Sequence, residues 1–281
     1  MIIRKNNFDI SNISYIKVGG IVKEYIIVDN IIDLINLKIK KFICIGNTSK
    51  ILFCFNYTKK TFLKFNKNGI IFYNNRYFIY SGTSLSYCYQ KLKPLNISGF
   101  EYLSTIPGLI GGSVVNNASF LNQCISDNII RILVYDKNEF YWIYKNECSF
   151  SYRNSNLRRN NFIIIGVEFN KIFKHKNVIE NDYNYALEYR KKYQNEFNMT
   201  LGSTFKNPIN ISIGKVLDQI GFKNYIYTEN VRISRNHANF IIIEPKTNYL
   251  EIYTFINFLK KVLYNYLKTN VELEIIVIYA E

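Results

Sequence analysis

Short runs of β-forming residues occupy most of the chain up to about residue 170, and they constrain its fold more than any other feature. Seven such runs, separated by Gly, Asn or Ser, read EYIIVD, FICIGN, ILFCF, YFIYSG, RILVYD, FYWIY and FIIIGVEF. Branched and aromatic residues in runs of this length are typical of strands, and the residues between them are typical of turns. The first half of the chain is therefore predicted to be dominated by sheets.

Beyond this region the chain changes to helical patterning. One stretch reads DYNYALEYRKKYQNEF with Asp182 as its N-cap, and a second reads ISIGKVLDQIG with Ser212 as N-cap and Gly221 just past its end. A third covers residues 248–269 with Asn248 as its cap. Its predicted apolar face is formed by Leu250, Tyr253, Ile256, Leu259, Val262, Leu263, Tyr266 and Leu267.

A last β-rich run over residues 271–279 closes the chain. Strands followed by helices, with no internal repeat, predict an α+β fold. The change in patterning places a boundary near residue 170, which gives one domain over residues 1–170 and another over residues 171–281.

The chain has 281 residues, of which 48% are hydrophobic, and a net charge of +15. A charge of this size raises the possibility of a nucleic-acid or membrane partner. However, Lys, Asn, Ile, Tyr and Phe are enriched together along the whole chain, and the basic residues form no tract of five or more. We interpret the charge as compositional background that also favours phosphate-bearing ligands, with no specific nucleic-acid partner.

Cysteine usage and the N-terminus predict a cytoplasmic protein. The odd number of cysteines and the lack of a CxxC pair indicate reduced thiols at Cys44, Cys54, Cys88, Cys124 and Cys148. The N-terminus lacks the apolar region of a signal peptide, and no apolar run reaches the roughly 18 residues that span a bilayer. His175 and His237 are the only histidines and have no ligand cluster around them, so we expect no metal. We also expect a monomer.

Three loops rich in small residues follow β-rich runs and read CIGNTSKIL, YSGTSLS and IPGLIGG. Residues without a Cβ let a backbone approach a phosphate closely, and successive N–H groups in a turn form an anion site. A purely structural interpretation is that Pro107 and Gly108 form a tight turn while Gly111 and Gly112 permit close packing. The spacing matches neither the dinucleotide fingerprint nor a P-loop. The functional interpretation is that the three loops converge on one pyrophosphate.

The order of several motifs resembles that of a known family. Between residues 12 and 279 the chain contains, in order, KVGG, GNTSKIL, SGTSLS, GFEYLSTIPGLIGGSVVNNA, SYRNS, GSTFKNP, GKVLDQIGFK, HANF and LEIIVI. This order is similar to that of the UDP-N-acetylenolpyruvoylglucosamine reductases, in the branch without the tyrosine-bearing substrate loop. The resemblance implies an FAD-binding domain of the vanillyl-alcohol-oxidase (PCMH) type, followed by a smaller α+β substrate-binding domain whose last strand carries Glu274 back to the active site.

The resemblance also implies a two-stage reaction in peptidoglycan precursor synthesis. NADPH reduces non-covalently bound FAD and leaves, and the enolpyruvyl nucleotide sugar then binds in its place and is reduced to UDP-N-acetylmuramate. Residue by residue, the matching positions imply that FAD is bound by Gly46, Asn47, Thr48, Ser49, Gly82, Ser104, Ile106, Pro107, Gly108, Gly111, Gly112 and Asn117. Lys206 and Asn207 are implied to contact the nucleotide sugar.

Three residues match the family's catalytic positions. Arg153 in SYRNS is implied to grip the substrate carboxylate as it becomes an enolate, a role that suits a planar guanidinium. Ser203 in GSTFKNP is implied to donate the proton. Glu274 is implied to assist the enolate. Strand alternation places Glu272 and Glu274 on one face, and partial desolvation would raise the pKa of Glu274 so that it binds the enolate in its protonated form.

Several positions depart from the family pattern without replacing a catalytic residue. Residues 118–121, including Ser119, read ASFL where the family commonly has a glycine-containing turn. Asn239 stands where glycine is usual, Lys50 where asparagine is usual, and Ile276 where arginine is usual. These departures predict that local loop geometry and some ligand contacts differ from those of the family.

Two other functions are compatible with the sequence. One is a different FAD oxidoreductase of the same fold with a covalently held flavin, for which Cys124 is the only nearby thiol. The other is a basic RNA-binding or structural protein that has lost catalysis. A flavin absorbance spectrum distinguishes the second from an FAD enzyme, and acid precipitation distinguishes covalent from non-covalent flavin.

Overall fold

The computed structural model describes residues 1–37, 39, 41–121, 123–159, 162–194 and 200–280. Within them the α-helices are α1 (Ile31–Ile35), α2 (Leu85–Leu92), α3 (Ile110–Val115), α4 (Lys176–Tyr193), α5 (Ile213–Gln219) and α6 (Tyr249–Leu267). Short 3₁₀ helices cover Ile10–Asn12, Lys93–Leu95, Leu103–Thr105, Lys145–Cys148 and Asn156–Arg159.

The strands of the first half are β1 (Ile2–Asp9), β2 (Ile21–Val28), β3 (Ile43–Cys44), β4 (Ile51–Cys54), β5 (Tyr57–Phe65), β6 (Ile70–Phe72), β7 (Arg76–Tyr80), β8 (Ile97–Ser98), β9 (Ser119–Phe120), β10 (Gln123–Cys124), β11 (Ile129–Tyr135) and β12 (Phe140–Tyr144). The remaining strands are β13 (Ile163–Asn170), β14 (Ile172–Phe173), β15 (Val231–Ile233), β16 (Ile241–Ile243) and β17 (Ile276–Tyr279). Each of the seven β-rich runs predicted from the sequence overlaps one of these strands.

The chain forms two compact units that interleave along the sequence. The first unit comprises Met1–Lys5, Tyr25–Asn47 and Thr61–Tyr189. The second comprises Asn6–Glu24, Thr48–Lys60 and Arg190–Glu281. The predicted division of roles at residue 170 stays a prediction, because packing alone assigns no role to either unit.

The first unit is organised by a five-stranded antiparallel sheet with the order β12-β11-β13-β7-β6. Its strand β13 is buried at every position but the last, because both faces of the sheet are covered. Ile163 and Ile165 pack into one apolar cluster, and Ile164 and Val167 pack into another that includes Leu85 of α2. Alternation separates Ile164 from Ile163 and Ile165, and a β-bulge, where the pairing with β11 passes from Gly166 to Ile164, brings Val167 to the same side as Ile164.

The second unit has one large apolar core surrounded by α5, α6 and short strands. Strand β17 pairs in parallel with β4, and β15 pairs with β16. Helix α5 confirms the capping pattern, because the Ser212 side chain accepts from the Lys215 amide and Gly221 has a φ of +84° just past the helix. Helix α6 begins as predicted at an Asn248 cap.

Three sequence-based details are wrong. Helix α4 begins at Lys176, so Asp182 lies inside it, and residues 195–197 of the predicted stretch lie outside the described residues. The predicted face of α6 is confirmed at Ile256, Leu259 and Leu263, but it also buries Ile252 and Phe255, which were not predicted. Of the other predicted residues, Leu250 is 53% exposed and Tyr266 is 56% exposed. The last strand begins at Ile276 rather than residue 271.

The described residues contain neither a membrane-spanning helix nor a cluster of metal ligands. No helix among them is both long and apolar enough to cross a bilayer. The same residues contain no group of three or more His, Cys, Asp or Glu side chains that could hold a metal ion. The five cysteines are free thiols.

Candidate active site

The three loops of small residues meet in the first unit. The Gly111 amide donates to the Ser81 carbonyl at 2.9 Å, and the Ile110 amide donates to the Thr83 carbonyl at 2.9 Å. These bonds join the loop after β7 to the start of α3. A Cβ placed on Gly46, in the loop after β3, would have Leu109 Cδ1 as its nearest neighbour at 3.7 Å. The convergence that the sequence predicted is therefore present in the fold.

The glycines of these loops divide into two kinds. A Cβ on Gly82 would lie 2.6 Å from the Lys67 carbonyl oxygen, and one on Gly108 would lie 3.1 Å from Ser113 Oγ. A Cβ on Gly111 would lie 3.0 Å from Ser81 Cβ. Packing of the chain itself requires glycine at position 82 and favours it at positions 108 and 111, in agreement with the structural interpretation.

Gly46 and Gly112 are different, because a Cβ on Gly46 would make only an ordinary contact with Leu109 and a Cβ on Gly112 would face open space. A Cβ on Gly112 would meet no protein atom within 4 Å, although Gly112 lies in the short helix α3 where alanine is favoured. No protein contact requires glycine at this position. A ligand that approaches the backbone here would require it, which makes Gly112 a candidate position for a diphosphate.

Unused polar atoms in the same unit fit a dinucleotide. Within the described part of the chain, the backbone amides of Gly46, Asn47 and Gly108 donate no hydrogen bond. The side-chain oxygen of Asn117 is buried without a partner, while its Nδ2 donates to the Ser151 carbonyl at 3.0 Å. Buried polar atoms are normally hydrogen-bonded, so Asn117 Oδ1 is suited to accept from a flavin, and the three amides, at half-buried or exposed residues, are available to a phosphate. The residues present therefore fit FAD.

Two other predicted cofactor residues use their side-chain hydroxyls for hydrogen bonds within the protein. The Ser104 hydroxyl donates to the Glu101 carbonyl at 2.9 Å. Ile106, which follows it, is half-buried, and Pro107 is exposed. In the second unit, the buried Thr48 hydroxyl accepts from the Tyr15 amide at 2.9 Å, and Ser49 follows it half-buried. The hydroxyls of Ser104 and Thr48 thus support the local backbone, so a contact with FAD would come from their backbone atoms.

Arg153 lies in a turn of the first unit with a φ of +53°. Its Nη1 donates to both the backbone carbonyl and the hydroxyl of Ser119, at 2.8 and 2.7 Å. Ser119 is one of the departures from the family pattern, and here it supplies an additional acceptor that orients the guanidinium. The contact links β9 to the 151–154 turn, so no local sequence pattern could have predicted it.

In the second unit, Ser203 and Glu274 lie on adjacent segments that are hydrogen-bonded to each other. The Glu274 amide donates to the Thr204 carbonyl at 2.8 Å, directly beside Ser203. On the other side of Thr204, its amide donates to the Asn239 carbonyl at 2.8 Å. These bonds bring the two predicted catalytic residues onto one backbone framework.

Asn239, another departure, has a clear structural role. Its side-chain oxygen accepts from the Phe205 amide at 3.0 Å, and its Nδ2 donates to the Phe205 carbonyl at 2.8 Å. The side chain is almost fully buried, and both of its polar ends are satisfied. A glycine at this position would lack these bonds, so Asn239 stabilises the segment that carries Ser203.

The two carboxylates near the C-terminus differ in environment, which corrects the expectation that they share a face. The Glu272 side chain is 76% exposed and pairs with Lys206 Nζ at 2.9 Å, a hydrogen bond that lowers the pKa of Glu272. The Glu274 side chain is only 5% exposed and pairs with Lys50 Nζ at 2.8 Å. The chain bends at Glu274 before β17 begins, so strand alternation does not apply there.

The predicted substrate-binding residues lie close to these groups. Lys206 continues the segment of Ser203, and its amide donates to the Glu272 carbonyl at 2.9 Å. The Asn207 side-chain oxygen accepts from the Ile213 amide at 3.0 Å, at the beginning of α5. Asn207 therefore supports the start of this helix in addition to any ligand contact.

His237 belongs to the same cluster and was missed by the sequence reasoning. Burial is the largest effect and lowers the pKa of its imidazole. The charge of Glu274 raises this pKa by a smaller amount, and the charge of Lys50 lowers it. Its Nδ1 accepts from the Asn239 amide at 3.3 Å, which assigns the ring proton to Nε2 in the neutral form. The sequence reasoning tested histidines only as metal ligands.

Comparisons with known proteins agree on one family. The family described as UDP-N-acetylenolpyruvoylglucosamine reductase, C-terminal domain, matches residues 193–278. A protein named UDP-N-acetylenolpyruvoylglucosamine reductase from Fusobacterium nucleatum is 30% identical over 97% of this chain and 98% of its own length. One of the same name from Campylobacter jejuni is 31% identical over 70% of this chain and 71% of its own.

A solved structure supports the fold assignment. The crystal structure of UDP-N-acetylenolpyruvylglucosamine reductase from Thermus caldophilus matches with a TM-score of 0.83 and 22% identity, over 99% of this chain and 98% of that one. At this identity the match establishes the fold. The predicted α+β class is confirmed.

Proposed function

The chain belongs to the UDP-N-acetylenolpyruvoylglucosamine reductase family, and we propose that Arg153, Ser203 and Glu274 carry out this family's reaction in it. The reaction is the NADPH-dependent, FAD-mediated reduction of the enolpyruvyl ether of UDP-N-acetylglucosamine to UDP-N-acetylmuramate, a peptidoglycan precursor. The observation that carries the proposal is the placement of Ser203 and Glu274 on adjacent segments joined by the Glu274 amide and the Thr204 carbonyl.

FAD supplies the redox chemistry when it is bound: it accepts a hydride from NADPH and passes a hydride to the enolpyruvyl methylene carbon. In the first unit its diphosphate would be held by the amides of Gly46, Asn47 and Gly108, with Gly112 allowing close approach. Asn117 Oδ1 would accept a hydrogen bond from the cofactor. These contacts need no covalent attachment.

Arg153 is proposed to bind the substrate carboxylate. As the methylene carbon gains a hydride, the electrons of the double bond move into the carboxylate as an enolate, and the guanidinium stabilises that charge through two N–H donors. The two bonds from Nη1 to Ser119 fix the guanidinium before the substrate arrives. Such preorganisation lowers the barrier because no reorientation is needed during reaction.

Ser203 is proposed to donate the proton that completes the reduction, at the carbon next to the carboxylate. A serine hydroxyl is a weak acid, so it needs neighbouring charge to act. The Lys50 ammonium donates to the Ser203 carbonyl oxygen at 3.1 Å and so places a positive charge beside the backbone of Ser203. Lys206 and Asn207, which follow in the same segment, are proposed to bind the nucleotide sugar.

The remaining assignments follow from the chemistry of the substrates. Both are charged metabolites of the cytoplasm, which supports a cytoplasmic location. The absence of a basic tract of five or more residues supports a protein without a specific nucleic-acid partner, and a monomer is proposed. Light scattering of the purified protein tests the last point.

Steady-state kinetics test the proposed function. NADPH and the nucleotide sugar are expected to use one site in turn, so varying NADPH at several sugar concentrations should give parallel double-reciprocal lines. Excess sugar substrate should inhibit competitively against NADPH. Intersecting lines together with a detectable ternary complex would contradict this scheme.

Replacement of Ser119 tests the orientation of Arg153. We expect Ser119→Ala to raise KM for the nucleotide sugar about tenfold, because a hydrogen bond to a charged group contributes about 1.5–3 kcal/mol and the backbone acceptor remains. The rate of enzyme reduction by NADPH serves as the internal control and should stay unchanged. Unchanged kinetics with the sugar would show that Ser119 does not orient Arg153.

A further inference from the structure

Lys50 bridges the two proposed catalytic residues of the second unit. Its ammonium lies 2.8 Å from Glu274 Oε1 and donates to the Ser203 carbonyl at 3.1 Å. Its own backbone carbonyl accepts from the Ile276 amide at 2.7 Å, two residues beyond Glu274. Both ends of this one residue therefore hold the segments that carry the proposed acid and the carboxylate.

The charges in this cluster need mutual compensation. The Glu274 side chain is 5% exposed, whereas the Lys50 side chain is 30% exposed, so the carboxylate is the more desolvated partner. A carboxylate removed from water without a cation is strongly unfavourable. His237 interacts electrostatically with both Glu274 and Lys50. Burial lowers the pKa of His237, and the charge of Lys223 lowers it further.

The expected substrate is itself an anion that becomes more basic during the reaction. An isolated Glu274 carboxylate would repel an enolate, and only a protonated Glu274 could then assist it. A carboxylate paired with an ammonium has no net charge, as a protonated carboxyl group has none. The ion pair therefore removes the repulsion without protonation of Glu274.

We propose that Lys50 is a positioning residue for the second half-reaction, which neutralises Glu274 and fixes the Ser203 peptide through its ammonium. This inference rests on the proposed function for its catalytic consequence. It predicts that the chain keeps Glu274 in an ion pair with Lys50 when the substrate is bound. Lys50 occupies the position where asparagine is usual in the family, so the device is a property of this chain.

The test uses Lys50→Met, Glu274→Gln and the double variant. At about pH 8, Lys50→Met should lower the midpoint of thermal unfolding by roughly 5–10 °C, because it removes an ammonium that lies 2.8 Å from a buried carboxylate. In the Glu274→Gln background the same change should have little effect. Lys60→Met is the matched control, because Lys60 Nζ donates to the Tyr279 carbonyl at 2.9 Å in the same unit and forms no ion pair with a carboxylate among the described residues.

The pH profile of the second half-reaction separates positioning from simple stabilisation. Between about pH 7 and pH 9 the wild-type rate should be nearly constant, since the ion pair persists and His237 is already neutral. In Lys50→Met the carboxyl group has lost the nearby ammonium that neutralises its charge, so the rate should fall as the pH rises and the carboxyl group ionises. The stability loss should also grow as pH rises, because the unfolded carboxyl ionises more easily than the folded one.

Additive stability effects of the two substitutions, or a Lys50→Met rate as constant with pH as that of wild type, would overturn the proposal. The stability cycle requires neither cofactor nor substrate, so it can succeed even if wild type fails to reduce the nucleotide sugar. That failure would count against the proposed function alone. An intact wild-type reaction without coupling between Lys50 and Glu274 would count against this inference alone.

Discussion

Ser203→Ala is expected to slow the second half-reaction by about 10²- to 10⁴-fold while leaving reduction by NADPH almost intact. General acid catalysis typically contributes this factor, which corresponds to about 3–5 kcal/mol of barrier. Reduction by NADPH requires no proton at the sugar carbon, so the first half-reaction should not sense the missing hydroxyl. Stopped-flow measurement of each half-reaction separates the two effects.

Two further variants define what the loss means. Ser203→Cys should recover part of the rate, because a thiol occupies nearly the same position and also donates a proton. Ser212→Ala is the control, since it removes another serine hydroxyl from the second unit, the N-cap of α5, and should cost about 1 kcal/mol of stability without changing either half-reaction. Equal slowing of both half-reactions in Ser203→Ala would mean that the serine supports the cofactor site instead.

Gly112→Val is expected to weaken FAD binding by about a hundredfold without unfolding the protein. The new side chain projects into space where no protein atom lies within 4 Å, so the apoprotein should tolerate it. With the diphosphate against this position, the same side chain overpacks the site, at a cost of about 1–3 kcal/mol. Titration of apoprotein with FAD, followed by flavin fluorescence, gives the dissociation constant.

A graded series makes this test specific. Gly112→Ala should have a smaller effect than Gly112→Val on FAD affinity and should leave the unfolding temperature equal or higher, since alanine favours the helix. Gly108→Ala should behave differently, because its Cβ would lie 3.1 Å from Ser113 Oγ and 3.3 Å from Leu85 Cδ1 and should lower stability with or without FAD. Full FAD affinity in a folded Gly112→Val protein would show that the diphosphate lies elsewhere.

Local patterns predicted those parts of the fold that local forces determine. The cap at Ser212 and the left-handed residue at Gly221 set the ends of α5, and both are short-range effects. The sequence predicted the centre of the face that α6 buries, at Ile256, Leu259 and Leu263, but not its edge at Ile252 and Phe255. Aliphatic and aromatic residues flank this face, so packing against the second unit's core decides how far it extends.

The sequence proposed the residues of the candidate site but not their contacts. The motif order led to Ser203 and Glu274, whose roles stay predictions, whereas strand alternation wrongly gave Glu272 and Glu274 the same face because the chain bends at that point. The partners Lys50 and Asn239 were visible only as departures from the family pattern. Their roles depend on contacts between segments far apart in sequence, which no window of neighbouring residues reports.

The most direct measurement of the central claim is a single turnover without oxygen. The purified protein is loaded with FAD, reduced with one equivalent of NADPH, and then mixed with the enolpyruvyl nucleotide sugar while the flavin absorbance is followed. The account predicts rapid return of the oxidised flavin spectrum, with formation of UDP-N-acetylmuramate, a product heavier than its substrate by two hydrogens. A flavin that stays reduced after the sugar is added, in a protein that accepts electrons from NADPH, would contradict it.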